Sequence, residues 1–504
     1  MSQVPLPPNL HINTLAVHAA VERSAFGENS EALYLTSGYV QPDAASAAAR
    51  FGGEEEGYTY TRSGNPTVTS LELRLAAMEG SEAAMATASG MAAIMLMLFS
   101  LLKSGDHVVF SQSMFGSTIK LIGSEFARFG VESTVVPQTD LDAWRQAIRP
   151  NTRLLFAETP TNPLTDVCDI AALAAMARDQ GAWLAVDNCF ATPVLQRPLA
   201  MGADIVMHSG TKYLDGQGRV MAGALCATEV MVRERFLPVI KNAGMVLSPF
   251  NAWVVLKGLE TLDIRMRAQS AQALELAQWL EQHPAVQRVY YPGLQSHPQH
   301  DLAMRQMSGL GGAVLSFDVR TPAADQARER AFHVLDSLQV LSLATNLGDT
   351  KTLACHPAST SHGKLTEAQR QAAGIGQGLI RVAVGLEHAC AVSSGRVRCW
   401  GSGRMGQNGA GSMALPFPGT ISALSQVLEL DATAGAEHVA VLRPRVGLGT
   451  VVGRVEQRRQ PELAQQAMGD PPFGSSFGGR GRVSTASTDQ ELTCLSAVRE
   501  GRSV

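Results

Sequence analysis

Between residues 80 and 230 the chain repeats one alternation, a short apolar or β-branched run followed by a longer stretch with helical spacing. The runs are "HVVFSQ", "STVVPQ", "RLLFAETP", "AWLAVDN" and "ADIVMHS". They are rich in Val, Leu and Ile and lack the strict polar alternation of a strand with one wet face, so they read as strands buried on both sides. Such strands, separated by helices, predict an α/β fold with a mostly parallel sheet wrapped by helices. Ligands of a sheet of this kind bind outside the carboxyl ends of its strands. Glu158, Asp187 and Ser209 each stand at such an end.

A chain of 504 residues and 53.5 kDa is long enough for two or three domains. With 45% hydrophobic and 17% charged residues it reads as soluble and globular. A net charge of −4 leaves no basic footprint for nucleic acid. The longest apolar run, "MAAIMLMLFSLL" from Met91 to Leu102, is too short for a bilayer and predicts a buried helix, so no membrane partner is expected. The N-terminus shows no basic region followed by an apolar block, which makes the cytoplasm the default location. Seven cysteines without a C-x-x-C pair argue against a disulfide framework or a zinc site, and no metal is expected. From residue 266 a long helical pattern, "RAQSAQALELAQWLEQH", precedes "AVQRVYYPG" and "GGAVLSFDV", which alternate like half-exposed antiparallel strands. A smaller α+β domain to residue 388 is the expectation.

"VMHSGTKYLDGQGR" places one of only seven lysines, Lys212, just after a buried strand and among hydroxyls and glycines. A lysine reacts through its amine only when it can become neutral, which burial and a nearby cation promote. The best-known use of such a lysine is a Schiff base with pyridoxal phosphate, which also needs a phosphate site and an acid at the pyridine nitrogen. Asp187, in "AVDN", is the candidate acid. Ser89, Gly90 and Met91 open the long apolar helix, where free backbone N–H groups and the helix dipole favour an anion. Ser209 and Thr211 add hydroxyl donors. In "YTYTRSGNPT", Tyr60 and Arg62 point to one side of an extended segment, and arginine suits bidentate phosphate binding. The plain structural alternatives are an exposed Lys212, a helix-capping Asp187, a packed Tyr60 and an ion-paired Arg381. Glu158, in "FAETPTNP", either holds a loop or touches the cofactor.

Together "YTYTRSGNPT", "SGMAAI", "AETPTNP", "VDN", "HSGTKYLDGQG", "PGLQSHPQH", "LGDTKTLACHPAS" and "IRVAVGLE" occur in an order that resembles the cystathionine γ-synthase family of pyridoxal-phosphate enzymes of cysteine and methionine metabolism. The resemblance runs from about residue 12 to residue 388. It implies an aspartate-aminotransferase-like fold with a mostly parallel seven-stranded sheet and a smaller α+β C-terminal domain. It implies that Lys212 carries the cofactor and moves protons, that Asp187 pairs with the pyridine nitrogen, and that Ser89, Gly90, Met91, Ser209 and Thr211 form the phosphate site. Tyr60 and Arg62 would reach the phosphate of a neighbouring subunit, making the active unit a dimer, usually paired into a homotetramer. Arg381 would hold the substrate carboxylate, helped by Asn162 and the backbone near Asn346. The implied divisions are an arm against a neighbouring subunit (1–60), a cofactor-binding domain (61–265) and a small domain (266–388).

Most relatives carry a tyrosine where this chain has Phe115, whose ring can stack on the cofactor but cannot transfer a proton. Methionine-degrading γ-lyases usually carry a cysteine where this chain has Ser117. Both departures point away from the lyase. Phe115, together with "HSGTKYLDGQGR" and "LATNLGDTKTL", resembles the O-succinylhomoserine sulfhydrylase branch, in which sulfide is already nucleophilic at neutral pH and needs less acid–base help. Cystathionine γ-synthase, O-acetylhomoserine sulfhydrylase and methionine γ-lyase are alternatives, as is an impaired enzyme fused to a binding segment.

Past residue 388 all twelve basic residues are arginine. "HACAVSSGRVRCWGSGRMGQNGAG" replaces the helix that usually follows "VGLE" and resembles a blade of the regulator-of-chromosome-condensation propeller, over about 389–445. Gly385-Leu-Glu-His388 echoes in Gly435-Ala-Glu-His438, a spacing typical of blades. One blade and a fragment cannot close a propeller. A fusion or frame accident, a partner-binding module and an inert appendage are all open readings. Cys390 and Cys399 either cross-link neighbouring strands or stay reduced, and residues 446–504 are expected to be disordered. Loss of the usual last helix is expected to loosen carboxylate binding at Arg381 more than cofactor binding.

Overall fold

The computed structural model describes residues 7, 9–21, 23–338, 340–386, 389–393, 396–400 and 419–420. The expected disorder of 446–504, and the second copy of the propeller echo, lie outside the described residues. The centre of the fold is a seven-stranded sheet made of β1 (Ala83–Thr87), β2 (His107–Ser111), β3 (Glu132–Val136), β4 (Thr152–Glu158), β5 (Trp183–Asp187), β6 (Ile205–Ser209) and β7 (Gly223–Ala227). Its order is β1-β7-β6-β5-β4-β2-β3, with β7 antiparallel to both neighbours and every other pair parallel. The five apolar runs are β2 to β6. Four of these are buried along nearly their whole length, whereas the edge strand β3 is largely accessible.

Strands β1 and β7 escape a periodicity reading because "AAMAT" and "GALCA" are small-residue segments without a β-branched run. The small residues have a packing reason. A Cβ on Gly223 would stand 2.1 Å from the Ser89 carbonyl oxygen, so β7 can lie beside the turn after β1 only as glycine.

Helices cover the sheet and begin and end where local chemistry directs. In α1 (Pro66–Glu79), the Asn65 side chain accepts the Thr67 N–H, Pro66 fills the first turn and Gly80 closes the end at φ 75°. In α2 (Gly90–Leu101), Ser89 accepts the Ala92 N–H, and Ile94, Met97, Leu98 and Leu101 are buried, as the apolar run predicts. Asp169 and Gly181 bracket α3 (Ile170–Gln180) in the same way. Two helices, α4 (Pro249–Leu259) and the 20-residue α5 (Leu262–Glu281), then lead to a second sheet. No helix among the described residues is long and apolar enough to cross a membrane.

The second sheet contains β8 (Val286–Tyr290), β9 (Val314–Val319), β10 (Ser342–Leu343), β11 (Leu353–Cys355) and β12 (Leu379–Ala383), in the order β10-β11-β12-β9-β8. The edge strand β8 is half-exposed, as its sequence predicts, but β9 is almost wholly buried. The difference has a cause. β9 lies inside the sheet between β8 and β12, and from one face Ser316 donates a 2.7 Å hydrogen bond to the Pro163 carbonyl of the first domain. Beyond β12 the backbone forms three antiparallel strands, β13 (Ala389–Ser393), β14 (Arg396–Trp400) and β15 (Gly419–Thr420), in which Cys390 stands opposite Cys399.

A buried charge cluster fastens the N-terminal segment to this framework. Glu31 accepts from Arg74 of α1 and from Lys257 of α4, and Lys257 also reaches Glu260 at 2.7 Å. Arg74 donates to the Ala19 carbonyl at 2.9 Å, and the Trp253 indole donates to the Glu31 carbonyl at 3.2 Å. Burial alone would push the Glu31 carboxyl up, but the Lys257 hydrogen bond and the Arg74 charge outweigh it and hold the group at about 2. A carboxylate held below its free value contributes stability above about pH 4.5, and the contribution fades as pH falls towards about 2. Glu31→Ala is expected to cost about 3 kcal/mol at pH 7, because it leaves the buried Arg74 guanidinium with only the Glu260 carboxylate, 3.9 Å away. Urea titrations at pH 7 and pH 3.5 check this, with the gap between variant and wild type narrowing at the lower pH.

Candidate active site

Strands β4, β5 and β6 run parallel and in register, so their last residues emerge side by side. Glu158 is paired with Asp187 across the β4–β5 ladder, and Ser209 ends β6 next to them. The turn after β6 carries Lys212. Its shape is set by Asp215, a fully buried carboxylate that accepts the Arg219 N–H at 2.7 Å and the Arg219 guanidinium at 2.8 Å. Gly216 turns through φ 72° at a point where a Cβ would lie 2.1 Å from the Arg265 guanidinium, which itself donates to the Tyr213 carbonyl at 2.8 Å. Asp215 and Gly216 therefore hold one tight turn over the strand ends.

A cavity of about 980 Å³ opens there. It is lined by thirteen of the residues singled out from the sequence: Ser89, Gly90, Met91, Phe115, Ser117, Glu158, Asn162, Asp187, Ser209, Thr211, Lys212, Asn346 and Arg381. Tyr60 and Arg62 are not among them. Both are exposed, the Arg62 guanidinium sits 5.4 Å from the Tyr60 ring centroid, and Arg62 donates to the Lys241 carbonyl.

One end of the cavity suits an anion. Gly90 and Met91 are the first residues of α2, whose leading N–H groups lack intrahelical acceptors. A Cβ on Gly90 would meet Ser209 Cβ at 2.9 Å and Oγ at 3.1 Å, so the glycine leaves room between the helix N-terminus and the hydroxyl. Thr211 lies on the same side, its hydroxyl next to Ala222.

The middle holds the titratable groups. Burial lowers the Lys212 pKa, the nearby Arg381 charge lowers it further, and the buried acids oppose both. Its Nζ donates to Asn346 Oδ1 at 2.7 Å. Asp187 is pushed up by burial and pulled back by Cys189 hydrogen bonds and the His208 charge. Glu158 is pushed well up, first by burial and then by Asp187. Its Oε2 accepts the Phe115 N–H at 2.8 Å, so Glu158 holds the loop that presents Phe115 while also lining the cavity. On the opposite face of β6, His208 Nε2 lies 2.6 Å from Glu79 Oε1, both side chains fully buried, and Asn188 donates to the same oxygen at 3.1 Å.

The other end suits a carboxylate. Arg381, in the interior of the second sheet, is 1% exposed and donates to Asn162 Oδ1 at 3.2 Å and to the carbonyls of Thr345 at 2.8 Å and Asn346 at 3.0 Å. Its Nε is buried without a partner, and among the described residues no carboxylate pairs with it. Neutral oxygens orient this cation without cancelling its charge, which leaves it able to attract an anionic ligand.

The structure also brings in residues that the sequence reading did not select. Cys189 lies two positions after Asp187, in "VDNCF", and was legible by that proximity. Thr345, His362 and Lys364 come from loops of the second domain that carry no periodic signal.

Comparisons with known proteins agree with this geometry. The sequence profile of the Cys/Met metabolism PLP-dependent enzymes matches residues 13–393, and that of the regulator of chromosome condensation (RCC1) repeat matches residues 380–407. An O-succinylhomoserine sulfhydrylase of Pseudomonas aeruginosa is 56% identical over 375 residues, which is 74% of this chain and 91% of that protein. An L-methionine gamma-lyase of Fusobacterium nucleatum is 42% identical over 379 residues, 75% of this chain and 94% of that one. A Campylobacter jejuni structure with N′-pyridoxyl-lysine-5′-monophosphate superposes with a TM-score of 0.71 at 33% identity, covering 75% of this chain and 96% of the other. The cofactor of the family fits the donors present: a buried lysine amine, an adjacent carboxylate, and a helix N-terminus opened by Gly90 beside a hydroxyl. A profile match over most of the sequence, with these relatives and this site, means that the chain belongs to the Cys/Met metabolism family of PLP-dependent enzymes.

Proposed function

We propose that the protein is an O-succinylhomoserine sulfhydrylase, which replaces succinate by sulfide at Cγ to give homocysteine. The Cγ–O bond to succinate breaks and a Cγ–S bond forms. The observation that carries this reading is Phe115 in the lining of the cavity, together with the 56% identity to a sulfhydrylase. Phenylalanine supplies an apolar wall and no exchangeable proton.

Pyridoxal phosphate, when bound, supplies an aldehyde for the lysine and a ring that stores the electron pair left on Cα. The remaining work falls to the chain. Lys212 takes the Cα proton and then shuttles a Cβ proton, removing it so that succinate can leave from Cγ and returning it, with the Cα proton, once sulfide has added; its burial-lowered pKa favours this. Asp187 keeps the ring nitrogen protonated. Gly90, Met91, Ser209, Thr211 and Ser89 hold the phosphate. Arg381, with Asn162 and Asn346 behind it, holds the α-carboxylate and fixes the Cα–H bond towards Lys212.

Residues 1–60 act as an arm on a neighbouring subunit, 61–265 as the cofactor-binding domain and 266–388 as the small domain. Tyr60 and Arg62 reach the neighbour's phosphate in a homotetramer. Their absence from their own chain's cavity and the exposed Leu35, Val40 and Phe51 of the same arm support this. A cytoplasmic location accords with the chemistry.

Lys212→Ala is expected to lose the visible absorption that wild-type protein shows with added cofactor. Arg381→Ala is expected to raise KM for the ester by about a hundredfold, since a charge-assisted contact is worth about 3 kcal/mol. Arg62→Ala is expected to weaken cofactor binding about tenfold, about 1.4 kcal/mol, although its own cavity is intact. Supplying O-succinyl- and O-acetylhomoserine with sulfide or cysteine tests the reaction itself. Homocysteine from the succinyl ester supports the proposal, and cystathionine as the main product overturns it.

A further inference from the structure

Asp187 stands where the β5–β6 ladder runs out. The Asn188 N–H still reaches the Met207 carbonyl at 3.0 Å, but the Asn188 carbonyl, next in register for Ser209, is occupied by the Thr192 N–H at 2.9 Å. The Ser209 N–H turns to a side-chain acceptor instead. It donates to Cys189 Sγ at 2.7 Å, while the N–H of Cys189 donates to Asp187 Oδ1 at 3.0 Å. Because the sulfur accepts from one side, its own proton is left for the other, where an ionised carboxylate is an acceptor only. The Cys189 side chain lowers the Asp187 pKa, as a donor to that carboxylate would.

We propose that Cys189 is a positioning residue that keeps Asp187 ionised and aimed, donating its N–H and S–H to that carboxylate while the Ser209 N–H fixes its sulfur. The proposal rests on Asp187 as the partner of the pyridine nitrogen. Facing Asp187 are Glu158 from β4 and Lys212 from the turn after β6, and the His208 charge acts on it from the other face of β6. Glu158 and burial favour protonating Asp187, and the two Cys189 donors oppose them. Burial and Asp187 itself push the thiol pKa well up, so the sulfur stays a donor throughout the working pH range. The same contact ties the ring acid to Ser209 at the anion end of the cavity. One side chain thus sets the relative position of two groups that must grip one cofactor.

The test compares Cys189→Ala, Cys189→Ser and Asp187→Ala with wild type, each loaded with pyridoxal phosphate. Two quantities are read, the cofactor dissociation constant and the pH midpoint of its visible absorption. A ring nitrogen less firmly protonated withdraws less charge from the lysine linkage, which then keeps its own proton to higher pH. Cys189→Ala is expected to raise the midpoint by about 0.5 unit and the dissociation constant about fivefold, with little change in thermal midpoint. Cys189→Ser restores both, since a hydroxyl donates and accepts in the same way. Should the alanine variant not fold, Cys189→Val and Cys189→Thr make the same comparison with matched volumes. If Asp187→Ala changes both quantities and Cys189→Ala neither, the role of Cys189 is overturned. If Asp187→Ala changes neither, the assignment of Asp187 is overturned instead.

Discussion

Parallel register is the constraint on which this molecule turns. Because β4, β5 and β6 share one direction and one alignment, the last residue of each strand arrives at the same edge of the sheet. Two carboxylates, a hydroxyl and a lysine then occupy a small partly dry volume where charges act strongly on one another. An antiparallel arrangement would send alternate strand ends to the far side. Instead the one reversed strand within the sheet, β7, passes the turn that opens α2, and Gly223 is the residue that lets it do so.

Burial then sorts the charged groups by their partners. Glu31 is matched by two cations and remains an anion well into acid. At Glu158, burial and the neighbouring Asp187 outweigh the backbone donors, so its protonation is favoured. Arg381 has only neutral acceptors and an unmatched Nε. These differences separate a residue that fastens the chain from residues available to a ligand.

Much of this was legible in the sequence. The five strongly apolar strands, the buried helix from Gly90 and the cluster at Ser89, Asp187, Ser209 and Lys212 follow from periodicity and from where chemistry-bearing residues sit relative to strand ends. Strands β1 and β7 were not legible, because close packing against a turn selects small residues and erases the β-branched signal. The burial of β9 was misread, since its exposure depends on what covers the second sheet rather than on its own pattern. Arg381 and Asn162 are 219 positions apart and meet only through the tertiary fold, so their pairing came from the family resemblance. Cys189 was overlooked although it is next but one to Asp187, a proximity that marks it as a neighbour without showing the contacts it makes. Past β12, the backbone pairing of β13 with β14 agrees with the propeller-repeat match at 380–407.

Asn346 touches two basic side chains with different atoms. Its side-chain oxygen receives the Lys212 amine and its main-chain oxygen receives the Arg381 guanidinium. A single residue is thus the gauge between the nitrogen that does chemistry and the nitrogen that anchors. The gap it spans is set by one amide side chain, which makes the site a caliper for molecules whose acid group and reactive carbon are immediate neighbours.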